Sequence, residues 1–134
     1  MKSVFLDANV LYVIAGDPDC RLFAAVMAGK ARFLASPYVV EEARRNLDPA
    51  DRANLNRLRA KLRLVPACFG PPPAGIELPG KDVPVLASAA MARADLLVTL
   101  DHDHFGRLYG RTIGGVKVIT PRELAVIASG LAGI

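Results

Sequence analysis

Residues 96–105 read LLVTLDHDHF. The first half is a continuous apolar run with no helical period, the pattern of a strand buried on both faces. The second half crowds four side chains able to bind a metal, Asp101, His102, Asp103 and His104, into four positions. A strand buried on both faces belongs to a parallel sheet covered by helices. In such sheets ligands bind beyond the carboxyl ends of the strands. The polar residues that follow the other strands therefore matter most.

Working outward, Val4–Leu6 form a short apolar strand that runs into Asp7, Ala8 and Asn9, followed by apolar residues at helical spacing. DPDCRLFAAVMAG, 17–29, predicts a helix stopped by Gly29, and ARFLAS, 31–36, a second strand. Ser36-Pro37 and Asp48-Pro49 each set a capping residue before a proline at the first helical position, which predicts a helix pair. Leu55, Leu58 and Leu62 give the second of these an apolar stripe. RLVPA, 63–67, is a brief strand. CFGPPPAGIELPG, 68–80, carries four prolines and three glycines and predicts a long connection. KDVPVLASAAMARAD, 81–95, is an Ala-rich helix with Asp82 at its mouth. VKVI, 116–119, is a last strand, and Thr120-Pro121-Arg122-Glu123 is a capping box that opens a last helix. Strands alternating with helices predict an α/β fold: a three-layer α/β/α sandwich with a central parallel sheet, in one domain spanning 1–134.

Composition narrows the class. The chain is 52% hydrophobic, enough for a real core. Cys20 and Cys68 lie far apart with no CxxC partner, which argues against a disulfide framework and suits a reducing, cytoplasmic setting. Asp7 and Asn9 interrupt the apolar run a secretory leader needs, and no segment is long and apolar enough to predict a membrane span. The net charge is +4, and seven of the 17 basic residues (Arg44, Arg45, Arg52, Arg57, Arg59, Lys61 and Arg63) fall within 20 positions. Such a stripe attracts polyanions, although a solvated helix face produces the same pattern.

Four distant segments deliver acids toward one edge of the expected sheet: Asp7 after the first strand, Glu41 and Glu42 early in the helix after the second, Asp82 and Asp101. Singly, each has an ordinary reading as a helix cap, a turn residue or a solvated carboxylate. Together they repel, and one or more takes up a proton unless a cation compensates. Oxygen ligands without thiolates or a histidine pair favour Mg²⁺ or Mn²⁺ over Zn²⁺. Ions so held activate water and offset charge on a phosphodiester. With Asp7, Glu42, Asp82 and Asp101 committed to metal, 9 acids face 17 bases, which suits a polyanionic substrate.

FLDANVL (5–11), SPYVVEEARRNL (36–47), KDVPVLASAAMARADLLVTLDHDHF (81–105) and VKVITPREL (116–124) together resemble the PIN domain family, in its small VapC-like toxin form. The resemblance covers residues 3 to about 128, and it rests on the order and spacing of these pieces rather than on any one of them. It implies an Mg²⁺- or Mn²⁺-dependent ribonuclease, the toxin of a type II toxin–antitoxin pair. The catalytic acids it implies are Asp7, Glu42, Asp82 and Asp101, with Asp7, Asp82 and Asp101 as metal ligands and Glu41 as fallback for Glu42. Asn9, Thr99 and Asp103 would be accessory residues, and Arg44 and Arg45 RNA contacts. The implied partners are RNA, a cognate antitoxin wrapping the helix pair at roughly 37–63, and a second copy in a homodimer. The chain departs from the family at Phe105, which follows Asp101 by four positions rather than three because His104 is interposed.

Three alternatives stay open. Receiver domains and haloacid-dehalogenase-type phosphatases also place an Asp after the first strand, but they want a late Lys, for which only Lys117 is available. An inactive PIN-like module would hold RNA or a partner through the basic helices. A structural zinc site would need His102 and His104 with Cys20 and Cys68. On the leading reading His102 and His104 are neighbours of the acids and not ligands.

Overall fold

The first strand supplies the axis of the molecule. In a computed structural model that describes residues 1–71 and 76–125, Ser3–Leu6 form β1, with Val4, Phe5 and Leu6 fully buried. The chain continues through helices α1 (Ala8–Ala15) and α2 (Arg21–Met27) to β2 (Arg32–Ala35), then α3 (Pro37–Asn46), α4 (Pro49–Lys61) and β3 (Arg63–Leu64). Beyond the long connection come α5 (Val83–Met91), β4 (Leu96–Val98), the short helix α6 (His102–Phe105) and a 3-10 turn at Gly106–Leu108. Then come β5 (Thr112–Ile113) and β6 (Val116–Ile119). The sheet order is β3-β2-β1-β4-β6-β5.

Local chemistry explains most boundaries. Ser36 Oγ accepts the Val39 N–H at 3.4 Å, and Asp48 Oδ1 accepts the Asp51 N–H at 2.9 Å, so both proline-led helices start where their caps predict. Gly29, past the end of α2, has φ +65°. The capping box forms reciprocally: the Glu123 N–H donates to Thr120 Oγ1 at 3.1 Å and the Thr120 N–H to Glu123 Oε1 at 3.5 Å. Helical residues follow from 121 to 125, and the rest of the expected last helix lies outside the described residues, as does 72–75 of the long connection.

The helices lie on the sheet as an α/β sandwich requires. Leu55, Leu58 and Leu62 are buried, as their stripe predicts, and join Phe23, Val39 and Leu11 in one core. No described helix is long and apolar enough to cross a membrane.

Two features are finer than the sequence predicts. The sheet is not wholly parallel, because β5 pairs antiparallel with β6, Ile113 opposite Val116. The intervening Gly114 and Gly115 have φ +56° and +85°, the two positive dihedrals that a two-residue hairpin turn requires. The hairpin reads as loop in sequence because its strand is two residues long. Gly115→Ala is expected to cost about 1–2 kcal/mol from the left-handed backbone alone, since nothing crowds the position. A urea midpoint unchanged from wild type would contradict this. The second is HDHF, too short to show a period in sequence, which forms a helical turn: Asp101 Oδ1 accepts the His104 N–H at 3.1 Å, and Phe105 is fully buried beneath the turn.

The topology also fixes where a site can form. From β1 the chain winds outward through β2 and β3, then crosses back to β4 on the other side of β1. The strand order reverses between β1 and β4, and a crevice opens at the carboxyl ends of those two strands. Asp7 and Asp101 stand at that edge.

Candidate metal centre

Asp7 caps α1 directly after β1 and is 4% exposed. Its Oδ1 accepts the Ala8 N–H at 2.7 Å and its Oδ2 the Thr99 hydroxyl at 2.8 Å, with the Asn9 amide a weaker donor at 3.4 Å. Thr99 Oγ1 in turn accepts the Asp101 N–H at 3.2 Å, and Asn9 Oδ1 accepts the Leu100 N–H at 3.0 Å. The Tyr109 hydroxyl donates to the Thr99 carbonyl at 2.7 Å. These bonds lock the end of β4 against the end of β1. Burial pushes the Asp7 carboxyl up to about 6; the bonds from Thr99 and Ala8 oppose the rise, and the nearby charges of Asp82 and Glu42 add to it. Tyr109 is pushed up to about 12, by burial first and then by Asp101, Asp7 and Glu123.

Asp82 opens α5, yet its side chain makes no capping bond, so a helix cap does not account for it. It is 6% exposed. Its Oδ2 lies 2.6 Å from His104 Nδ1, and Asp101 Oδ2 lies 2.8 Å from the same nitrogen. Both approaches are within ion-pair distance if the imidazole is protonated, and Asp82 Oδ2 and His104 Nδ1 are buried with no other hydrogen-bond partner. Asp82, Asp101 and His104 each offer one ligand atom, all within 4.8 Å of one another. Burial raises the Asp82 carboxyl, His104 and Lys81 lower it, and Asp101 raises it further. Two carboxylates with an orphaned oxygen and an orphaned imidazole nitrogen beside them form a donor set that a divalent cation satisfies.

Glu42 reaches the same region from α3. It lines a cleft of about 360 Å³ with Ala8, Asn9, Tyr12 and Asn46. Its charge acts on Asp7 and on Tyr38. Glu41, one position earlier, points elsewhere and forms a two-pronged pair with Arg44 at 2.7 and 2.8 Å. Between the two glutamates, geometry puts Glu42 with the acids.

The remaining expected residues divide. Asp7, Asn9 and Thr99 form one bonded group, and Asp82 and Asp101 form a second that includes His104 and not Asp7. The two Asp7 oxygens accept from Ala8 and Thr99. Asp103 is exposed on the outer side of α6. Arg44 is engaged with Glu41, while Arg45 is two-thirds exposed and 3.9 Å from it. Elsewhere in the basic stripe, Arg57 lies over the Phe23 ring and Arg52 donates to the Arg44 carbonyl. The cysteines stay apart from the acids: Cys20 Sγ caps α2, and the Cys68 N–H donates to Ser88. His102 packs against the Tyr109 ring. Lys117 pairs with Leu96 at the far end of the sheet from Asp101, where a receiver or phosphatase lysine would have no role.

Two contributors escaped the sequence reading. Tyr38 lies one helical turn before Glu42, so i, i+4 spacing was an available signal. Its hydroxyl donates to the Lys81 carbonyl at 2.9 Å and so ties α3 to the residue before Asp82. Burial raises its hydroxyl, as do Glu42, Asp82 and Asp7, while Arg45 lowers it. Tyr38→Phe is expected to cost about 0.5–1.5 kcal/mol, the range of one intramolecular hydrogen bond, and thermal unfolding checks it. Tyr109 arrives through the 3-10 turn and left no such pattern.

No family model matches this chain, and no curated protein matches it. Among solved structures it is similar to that of PAE2754 from Pyrobaculum aerophilum. The TM-score is 0.54 with 14% identity, over 99% of this chain and 98% of the other. That likeness concerns the fold: helices flanking a central, mostly parallel six-stranded sheet.

Proposed function

We propose that this chain is a divalent-metal-dependent endoribonuclease of the PIN type, hydrolysing RNA phosphodiester bonds as the toxin of a type II toxin–antitoxin pair. One observation carries the reading: Asp82, Asp101 and His104 converge, beside Asp7 and Thr99, at the point where the strand order reverses. The resemblance of 5–11, 36–47, 81–105 and 116–124 to PIN segments adds the reaction class, and the basic residues of α3 and α4 suit an RNA backbone.

A bound Mg²⁺ or Mn²⁺ supplies Lewis acidity to the phosphate and makes water a better nucleophile. The protein's own part is positioning. Asp82 and Asp101 would hold the ion, and Asp7 holds Thr99, which fixes the backbone at Asp101. Glu42, across the cleft from that group, orients the attacking water and takes its proton. Arg45, exposed near Glu42's helix face, neutralises a flanking phosphate. The antitoxin and the second copy belong to the same proposal.

The test is cleavage of a mixed RNA pool by the purified full chain, which is expected to stop with EDTA and to return with Mn²⁺. Cleavage indifferent to chelation would sink the reading.

A further inference from the structure

The site holds one group that an all-carboxylate metal centre does not need. His104 Nδ1 is buried and unpartnered and lies 2.6 Å from Asp82 Oδ2 and 2.8 Å from Asp101 Oδ2. Its placement is built into the fold. The His104 N–H is bonded to Asp101 Oδ1, so residues 101 and 104 share one face of a helical turn. Phe105, fully buried, anchors that turn. The partner oxygen on Asp82 belongs to a carboxylate that is more than nine-tenths buried and makes no cap.

We propose that His104 binds the divalent ion of this site directly through Nδ1, making a mixed nitrogen–oxygen centre that takes Mn²⁺ in preference to Mg²⁺. The inference rests on the metal-centre reading above and deepens it. Mg²⁺ is a small, hard ion that favours oxygen ligands in a near-ideal octahedron and keeps its waters. Imidazole suits first-row transition ions, and among those Mn²⁺ is the one that carboxylates also suit. A neutral imidazole carrying its proton on Nε2 presents the Nδ1 lone pair to the ion.

The experiment uses the full chain, stripped of metal, with Mn²⁺ and Mg²⁺ as the probes. Mn²⁺ binding is read from the loss of the free-ion electron spin resonance signal, Mg²⁺ binding by competition, and the ligand atoms from pulsed spectra of bound Mn²⁺. Wild type is expected to bind Mn²⁺ at least about tenfold more tightly than Mg²⁺ and to show coupling from a directly bound ¹⁴N. His104→Ala is expected to lose the ¹⁴N coupling and at least about 10-fold in Mn²⁺ affinity, since losing even an outer-shell partner of a metal ligand costs roughly 10- to 100-fold. Its Mg²⁺ affinity should move much less. His104→Gln, which keeps a polar side chain on the turn, guards against a folding defect and should also lose the coupling. His102→Ala should keep it, and since these are the chain's two histidines the source of the nitrogen is then settled. Bound Mn²⁺ without ¹⁴N coupling in wild type, or unchanged Mn²⁺ affinity in both His104 variants, overturns the inference and leaves the carboxylate centre standing. Failure of wild type to bind either ion, or binding that survives Asp82→Asn and Asp101→Asn, overturns the metal centre itself.

Discussion

Asp101→Asn is expected to reduce metal-dependent RNA cleavage by at least about 10³-fold, equivalent to about 4 kcal/mol of transition-state stabilisation. The substitution is chosen because it leaves the fold alone. Asn is as good a helix cap as Asp, so its carbonyl keeps the bond from the His104 N–H that starts α6. What changes is the other oxygen. It becomes an NH₂ group 2.8 Å from His104 Nδ1, where a lone pair and a negative charge stood. An amide nitrogen does not ligate a divalent ion under these conditions, and the site loses half of its paired carboxylate charge. Circular dichroism and thermal unfolding should match wild type while cleavage disappears. Induced expression of wild type should arrest growth and that of the variant should not. Cleavage that persists in both Asp101→Asn and Asp7→Asn would place the active site elsewhere.

Asp7→Asn should separate stability from activity in opposite directions. The folded carboxyl sits at about 6 against an ordinary 3.8, because its charge is buried near Asp82 and Glu42. A raised pKa means the folded state favours the protonated form. The stability this contributes is full below about pH 4, falls as pH rises through about 6, and is gone above that. The rise of roughly two units corresponds to about 3 kcal/mol. In EDTA, wild type should therefore weaken between pH 4 and pH 7. The Asn variant, uncharged throughout, should lose this part of the dependence and be more stable at pH 8 by about 1–3 kcal/mol. Asn also retains an acceptor for the Ala8 N–H. Urea unfolding at pH 5 and pH 8 measures the difference, and a variant weaker than wild type at pH 8 would contradict the assignment of strain to Asp7. The same variant should not cleave RNA. A residue whose neutralisation strengthens the fold is one held for a purpose other than folding.

Much of the architecture is written locally. Ser36, Asp48 and the Thr120–Glu123 box start helices by bonds that two or three neighbouring residues determine, and each forms as read. Asp7 is legible because a buried strand ends at Leu6 and an acid follows. Asp82 is less so, since only the folded chain shows that its carboxylate makes no cap. The β5 hairpin was missed because two residues carry no period, although Gly114-Gly115 is a turn signal. HDHF is too short to show a period of its own, so its sequence does not announce that Asp101 and His104 meet at i, i+3, the repeat of a helical turn. Tyr109 meets the site through the tertiary fold alone, and no local rule announces it.

The sheet order has one more effect. Both outer strands, β3 and β5, are two residues long, and β3 begins with an exposed arginine. Edges so brief offer little free backbone for another strand to extend. Strand addition at either edge is thereby disfavoured. The open apolar side chains lie on a helix instead: Tyr12 and Val13 of α1 stand exposed, and Tyr12 lines the same cleft as Glu42. Anything packed on that part of α1 would narrow the way into the cleft.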